Sequence, residues 1–139
     1  MDREIKFRGK SFDTLEWEYG DLIHAGIDRD IILIEGTDGT TSMCRPETVG
    51  QFTGLKDKNG LDIYEGDIIV SNATDGEPVY HEIFYRESEG AFMAALGGDR
   101  DICWGASRVF QRWVNDFGKT VVGNIYDNPE LLKSEKQNS

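Results

Sequence analysis

The two histidines and two cysteines are the residues to weigh first as chemistry, because a thiol beside an imidazole is among the smallest nucleophilic pairs a protein assembles. His24 and His81 lie far apart in the chain, as do Cys44 and Cys103, so spacing alone supplies no such pair. His81 stands in Tyr80-His81-Glu82, where alternation places it on the outward side of a strand. A zinc centre needs Cys and His clustered at ligand spacing, and the chain has no such cluster. Asp57-Lys58-Asn59-Gly60 looks superficially like the opening of a calcium loop, but Gly60 arrives too early and no glutamate fills the bidentate position. Glu87, Glu89, Asp99 and Asp101 read as solvated loop carboxylates. Gly97-Gly98 and Gly36 to Gly39 punctuate strands and lack the spacing of a phosphate-binding loop. The expectation is therefore no catalytic residue, no metal and no cofactor. A hydrolase using Cys103 or a carboxylate pair is the alternative.

Basic residues offer a second kind of site. Arg3, Lys6, Arg8 and Lys10 form one cluster, and Arg108, Arg112 and Lys119 another, with Trp104 and Trp113 near the second. Arginines interleaved with aromatics can stack and neutralise a single-stranded nucleic acid. Yet Trp113 falls on an apolar stripe at helical spacing, which marks it as core. Trp104, between Cys103 and Gly105, is the better exposed anchor, with Arg108 and Arg112 beside it as candidate interaction residues. The 26 acidic against 15 basic side chains give a formal charge of −11, a field that repels a phosphate backbone. Nucleic-acid binding is thus the alternative, and a solubilising acidic surface the simpler explanation.

The elements that must position these residues are short strands. At 139 residues the chain has the length of one domain with an arm, and seven Phe, five Tyr and three Trp supply a core. Arg3 to Lys10 alternates with Ile5, Phe7 and Gly9 on one side and a basic outer face on the other. Leu15 to Tyr19 alternates again, which would set Glu16 and Glu18 opposite those cations. Gly20 to Asp30 reads as a loop. Ile31 to Glu35 and Thr41 to Cys44 are strands around the Asp38-Gly39 turn, and Pro46 breaks the pairing. Lys58-Asn59-Gly60 and Glu65-Gly66-Asp67 are sharp reversals, the second feeding the β-branched Ile68-Ile69-Val70. Val79 to Tyr85, Ala91 to Leu96 and Thr120 to Val122 are further strands, and Gly97-Gly98-Asp99 opens a loop. Ser107 to Phe117 carries Val109, Phe110, Trp113, Val114 and Phe117 on one helical stripe, and Asn128-Pro129-Glu130-Leu131 starts a short helix. The first residues lack a signal-peptide pattern, Ile31 to Ile34 is too short to span a bilayer, and two cysteines make no disulfide framework. These features predict a soluble cytoplasmic protein with no membrane partner.

Three segments in order resemble one family. Phe52 to Gly60 continuing through Ile63-Tyr64-Glu65-Gly66-Asp67-Ile68 resembles the central signature of the YopX family of phage and prophage proteins. Val121 to Leu132 resembles the signature that closes those proteins, and Arg3 to Lys10 matches their usual opening. The resemblance implies an SH3-type β-barrel with accessory N-terminal strands, encoded by a temperate phage or integrated element in a bacterial host. It transfers no catalytic residue, because the family's role is unassigned.

The reading is a mainly β protein: a hairpin arm over 1–47, a small SH3-type barrel over 48–132 with one or two short C-terminal helices, and a polar tail over 133–139. Gly54, Asn59, Gly60, Tyr64, Gly66, Asp67, Gly123, Asn128 and Pro129 are its structural signature. Tyr64, Ile68, Val122, Ile125 and Tyr126 are expected in the core. Function is expected to be contact: binding a phage or host protein, a second copy, or both, with self-association favoured by an unpaired edge of the N-terminal hairpin.

Overall fold

The computed structural model describes residues 4–72, 77–105 and 119–132. They are mainly β, in two antiparallel sheets, one of order β4 (Thr41–Cys44), β3 (Ile31–Glu35), β2 (Trp17–Ala25), β1 (Phe7–Lys10), β5 (Gly50–Lys56), β6 (Asp62–Tyr64) and one of order β10 (Asp99–Gly105), β9 (Ala91–Leu96), β8 (Pro78–Arg86), β7 (Asp67–Asn72), β11 (Thr120–Asn124). Both orders are open, so the described strands do not form the closed SH3-type barrel expected. A bulge between Asp99 and Cys103 interrupts the pairing of the edge strand that holds them with its single neighbour. The chain divides into two compact units, Met1–Gly54 and Leu55–Ser139. Among the described residues no helix is long and apolar enough to cross a membrane.

The first unit contains β1 (Phe7–Lys10), β2 (Trp17–Ala25), β3 (Ile31–Glu35), β4 (Thr41–Cys44), a 3-10 turn (Pro46–Thr48) and the start of β5 (Gly50–Lys56). The predicted loop after Gly20 is largely strand. Asp21 to Ala25 pairs residue by residue with Glu35 to Ile31, and that β-branched partner supplies the cross-strand contacts which weak local propensity lacks. The basic outer face of β1 is also corrected. Arg8 is buried, lying opposite Tyr19, while Lys10 lies opposite Trp17 and Glu18 faces Gly9. The Ser11 to Glu16 connection sets this register, closed by Ser11 N–H donating to the Glu16 carbonyl and turned through Leu15 at φ 62°. The cations rest on rings: Lys6 over Phe52, and Arg8 and Lys10 over Trp17.

β4 is an edge strand whose outer side is occupied. Ser11 bridges Cys44, Phe12 N–H donates to the Met43 carbonyl, and Arg45 N–H donates to the Lys10 carbonyl. The inner face of the sheet carries Ile32, Ile34 and Cys44, all buried. Gly9 is pressed against them: a Cβ there would stand 3.0 Å from the Cys44 Cβ.

The second unit contains β6 (Asp62–Tyr64), β7 (Asp67–Asn72), β8 (Pro78–Arg86), β9 (Ala91–Leu96), β10 (Asp99–Gly105) and β11 (Thr120–Asn124), followed by a helical turn at 130–132. Its core is Ile63, Ile69, Ile83 and Ala94, with Leu55 and Val121 packed on it. Tyr64 and Ile68 are buried as expected. Val122 is not: a bulge between Val121 and Gly123 turns Val121 inward and leaves Val122 44% exposed. Ile125 and Tyr126 are half-buried. β10 replaces a predicted loop; Asp99-Arg100-Asp101 has poor strand propensity, and pairing with β9 overrides it. The predicted helix from Ser107 to Phe117, with Trp113, and the polar tail lie outside the described residues.

Candidate functional site

Side-chain acceptors tie turns to strands within the second unit, and two of them, Asp67 and Asn128, belong to the structural signature. Asp57 is buried, and its Oδ1 accepts from the backbone N–H of Asn59 and Leu61. Its Oδ2 accepts from Val121 N–H at 3.0 Å, and Lys58 N–H donates to the Lys119 carbonyl, so the Asn59-Gly60 turn is fastened to β11. Only Gly60 in that turn takes positive φ, at 84°; the carboxylate of Asp57 does the work assigned to Asn59. At the second reversal Gly66 has φ 93°, and Asp67 Oδ2 accepts from Tyr64 N–H at 2.7 Å, the capping role expected. Gly66 then accepts from Ile125 N–H and donates to the Ile83 carbonyl, joining the central and closing signatures.

Gly123 and Asn128 explain each other. A Cβ on Gly123 would lie 2.3 Å from Asn128 Oδ1, the atom that accepts from Asn124 N–H. Asn124 Oδ1 in turn accepts from the N–H of Tyr126 and Asp127. Pro129 opens the short helix and Leu132 N–H donates to its carbonyl. Gly54 lies in β5, at the end of the first unit. All of this is architecture, and none of it presents a reactive group to solvent.

Trp104 is 52% exposed on β10. Its ring meets His81 edge-on, with centroids 5.6 Å apart. His81 is 3% exposed, which overturns its outward placement: Ile69 and Leu96 are its register partners, on the side of the sheet that carries the core. Burial, aided by the charge of nearby Lys119, lowers its pKa to about 4, so the ring is neutral near pH 7. Burial also lowers the Lys119 pKa. Arg108 and Arg112 lie outside the described residues, so the proposed Trp104–arginine cluster cannot be assembled from them.

Cysteine chemistry finds little support. Cys44 is fully buried, and burial followed by the charge of Glu18 pushes its thiol pKa up, the wrong direction for a nucleophile. Cys103 neighbours Trp104 on β10 and alternates to the other face. Among the described residues no three His, Cys, Asp or Glu stand close enough to hold a metal ion.

A surface that sequence reasoning missed lies on the outer face of the first unit. The register sets Ile23 opposite Leu33 and Leu33 opposite Met43, one aliphatic row across three strands. Ala25 and Ile31 form the next row towards the hairpin end, where Ile27 is fully exposed. Met43 is 50% exposed, with Tyr19 and Ile31 also open to solvent. Next to the aliphatic row stands Asp21 opposite Glu35, both exposed. The signal for this face was available in Ile31-Ile32-Leu33-Ile34, a run apolar at consecutive positions and therefore apolar on both sides of a sheet.

Comparison with known proteins follows this geometry. A family model described as YopX protein matches residues 6–133, and the chain belongs to the YopX family. Among solved structures, the crystal structure of protein EF1440 from Enterococcus faecalis is similar, with 29% sequence identity and a TM-score of 0.58. That match covers 94% of this chain and 99% of the other. No curated protein matches the chain.

Proposed function

We propose that this chain is a non-catalytic protein-binding module, a cytoplasmic accessory protein of a temperate phage or integrated element, which docks its partner through the outer face of β2, β3 and β4. One observation carries the reading: Ile32, Ile34 and Cys44 are buried on one face of this sheet, while on the other face Met43 and Ile31 are exposed beside the half-buried Ile23 and Leu33. A sheet apolar on both faces is ordinarily covered on both, and contiguous exposed apolar surface marks interaction sites. The order β10-β9-β8-β7-β11 adds support, since it places the last strand beside the first of a four-strand meander, the pairing from which an SH3-type barrel closes. The basic first strand favours nucleic acid less, because its cations already lie over Phe52 and Trp17.

The test is site-specific crosslinking in an induced host. A photo-crosslinking phenylalanine analogue replaces Met43 in one protein and Val122, on β11, in another. The reading predicts a discrete protein adduct from position 43 and none from 122. Equal adducts from both positions, no adduct from 43, or an adduct to nucleic acid would overturn it.

A further inference from the structure

The docking face is bordered by unneutralised negative charge, and that narrows the chemistry of what covers it. Asp21 and Glu35 stand directly opposite each other on the same side of the sheet as Met43. Like charges in that relation repel. Two further exposed carboxylates, Asp28 and Asp30, stand at the end of the β2–β3 hairpin beside Ile27 and Ile31. From Asp21 to Glu35 the chain holds these four carboxylates and one arginine, Arg29. Among the described residues none of the four carboxylates has an ion-pair partner. An aliphatic strip is thus flanked by acid at both ends.

Resting on the docking reading above, we infer that the occupant of this face is a polypeptide segment of another protein in which aliphatic side chains are flanked on both sides by arginine or lysine. Aliphatic groups would cover Ile23, Leu33 and Met43, and cations would reach Asp21–Glu35 at one end and Asp28–Asp30 at the other. A second copy of this chain is a poor occupant. Its own face presents the same carboxylates, and a two-fold contact would set acid against acid in a molecule of net charge −11. Nucleic acid is excluded from the face by the same carboxylates.

Fluorescence anisotropy with defined probes tests this on the full-length protein. The probes are a short labelled peptide with a valine run flanked by arginines, and a counterpart with glutamate for arginine. The valine–arginine peptide is expected to bind and the valine–glutamate peptide not. Asp21→Asn with Glu35→Gln should weaken binding about tenfold and flatten its salt dependence. Glu87→Gln with Glu89→Gln, on the β8–β9 turn, should leave it unchanged and controls for general acidity. Met43→Thr should weaken binding by a similar factor. If the Glu87/Glu89 variant loses as much as the Asp21/Glu35 variant, or the glutamate peptide binds equally well, the charge inference fails while docking at this face stands. If Met43→Thr has no effect on binding, the docking reading itself fails.

Discussion

The two units solve the same problem, holding short strands in register, by different means. In the second unit side-chain oxygens do it: Asp57, Asp67, Asn124 and Asn128 accept from backbone N–H groups at every reversal that joins β6, β7 and β11. In the first unit the acceptors are hydroxyls and one exposed carboxylate, Ser11, Thr14, Thr48 and Asp38, and close backbone approach and stacked cations act beside them. Gly9 and Gly20 let strands approach, and Lys6, Arg8 and Lys10 lie over aromatic rings. The first unit also leaves Met43 and Ile31 exposed on one sheet face, beside the half-buried Ile23 and Leu33.

The sharpest way to break this contrast is at Gly20. A Cβ there would sit 1.9 Å from the Glu35 carbonyl oxygen, a backbone atom that cannot swing aside. Gly20→Ala should destabilise by about 4 kcal/mol, read by urea unfolding. Asp57→Ala comes next: it leaves the Asn59, Leu61 and Val121 donors without their carboxylate, for a loss of about 3 kcal/mol. Gly123→Ala should cost about 2 kcal/mol by displacing Asn128 Oδ1 from Asn124 N–H. In an Asn128→Gly background the same change should cost much less, since the colliding side chain is gone, so a double-mutant cycle gives a coupling energy near the full effect.

Acid should act on the second unit through His81. Its folded pKa of about 4 lies below the ordinary 6.5, so the unfolded chain binds more protons between those values. Stability should therefore fall as pH drops through that window, by about 2 kcal/mol from pH 7 to pH 5, and His81→Gln should remove that component. The smallest effect belongs to the docking face: Met43→Thr should shift stability by less than about 0.5 kcal/mol, because the side chain is half exposed.

Turn chemistry made much of the second unit legible in the sequence. Gly66-Asp67 before an aliphatic run is a local signal that the structure places as read; Asn128-Pro129 does precede a helical turn, but the Asn128 side chain accepts from Asn124 N–H and does not cap it. Asp57 was missed as the organising residue because its third partner, Val121, lies far along the chain, and local patterns carry no such information. β10 and the second half of β2 were missed for a related reason: their strand character comes from partners rather than from Asp, Gly and Arg side chains. His81 was misplaced because its burial comes from Trp104 and neighbouring strands. The docking face was legible in part, since an unbroken aliphatic run announces two apolar faces, but which face stays open is a property of the assembled sheet.

Oxidative footprinting of Met43 and Trp104 tests the central claim most directly, comparing purified protein with protein footprinted inside an induced host. The account predicts that Met43 oxidises readily when the protein is alone and is protected in the host, while Trp104 reacts equally in both. Protection of Trp104 with Met43 left reactive would place the contact on β10 and contradict it.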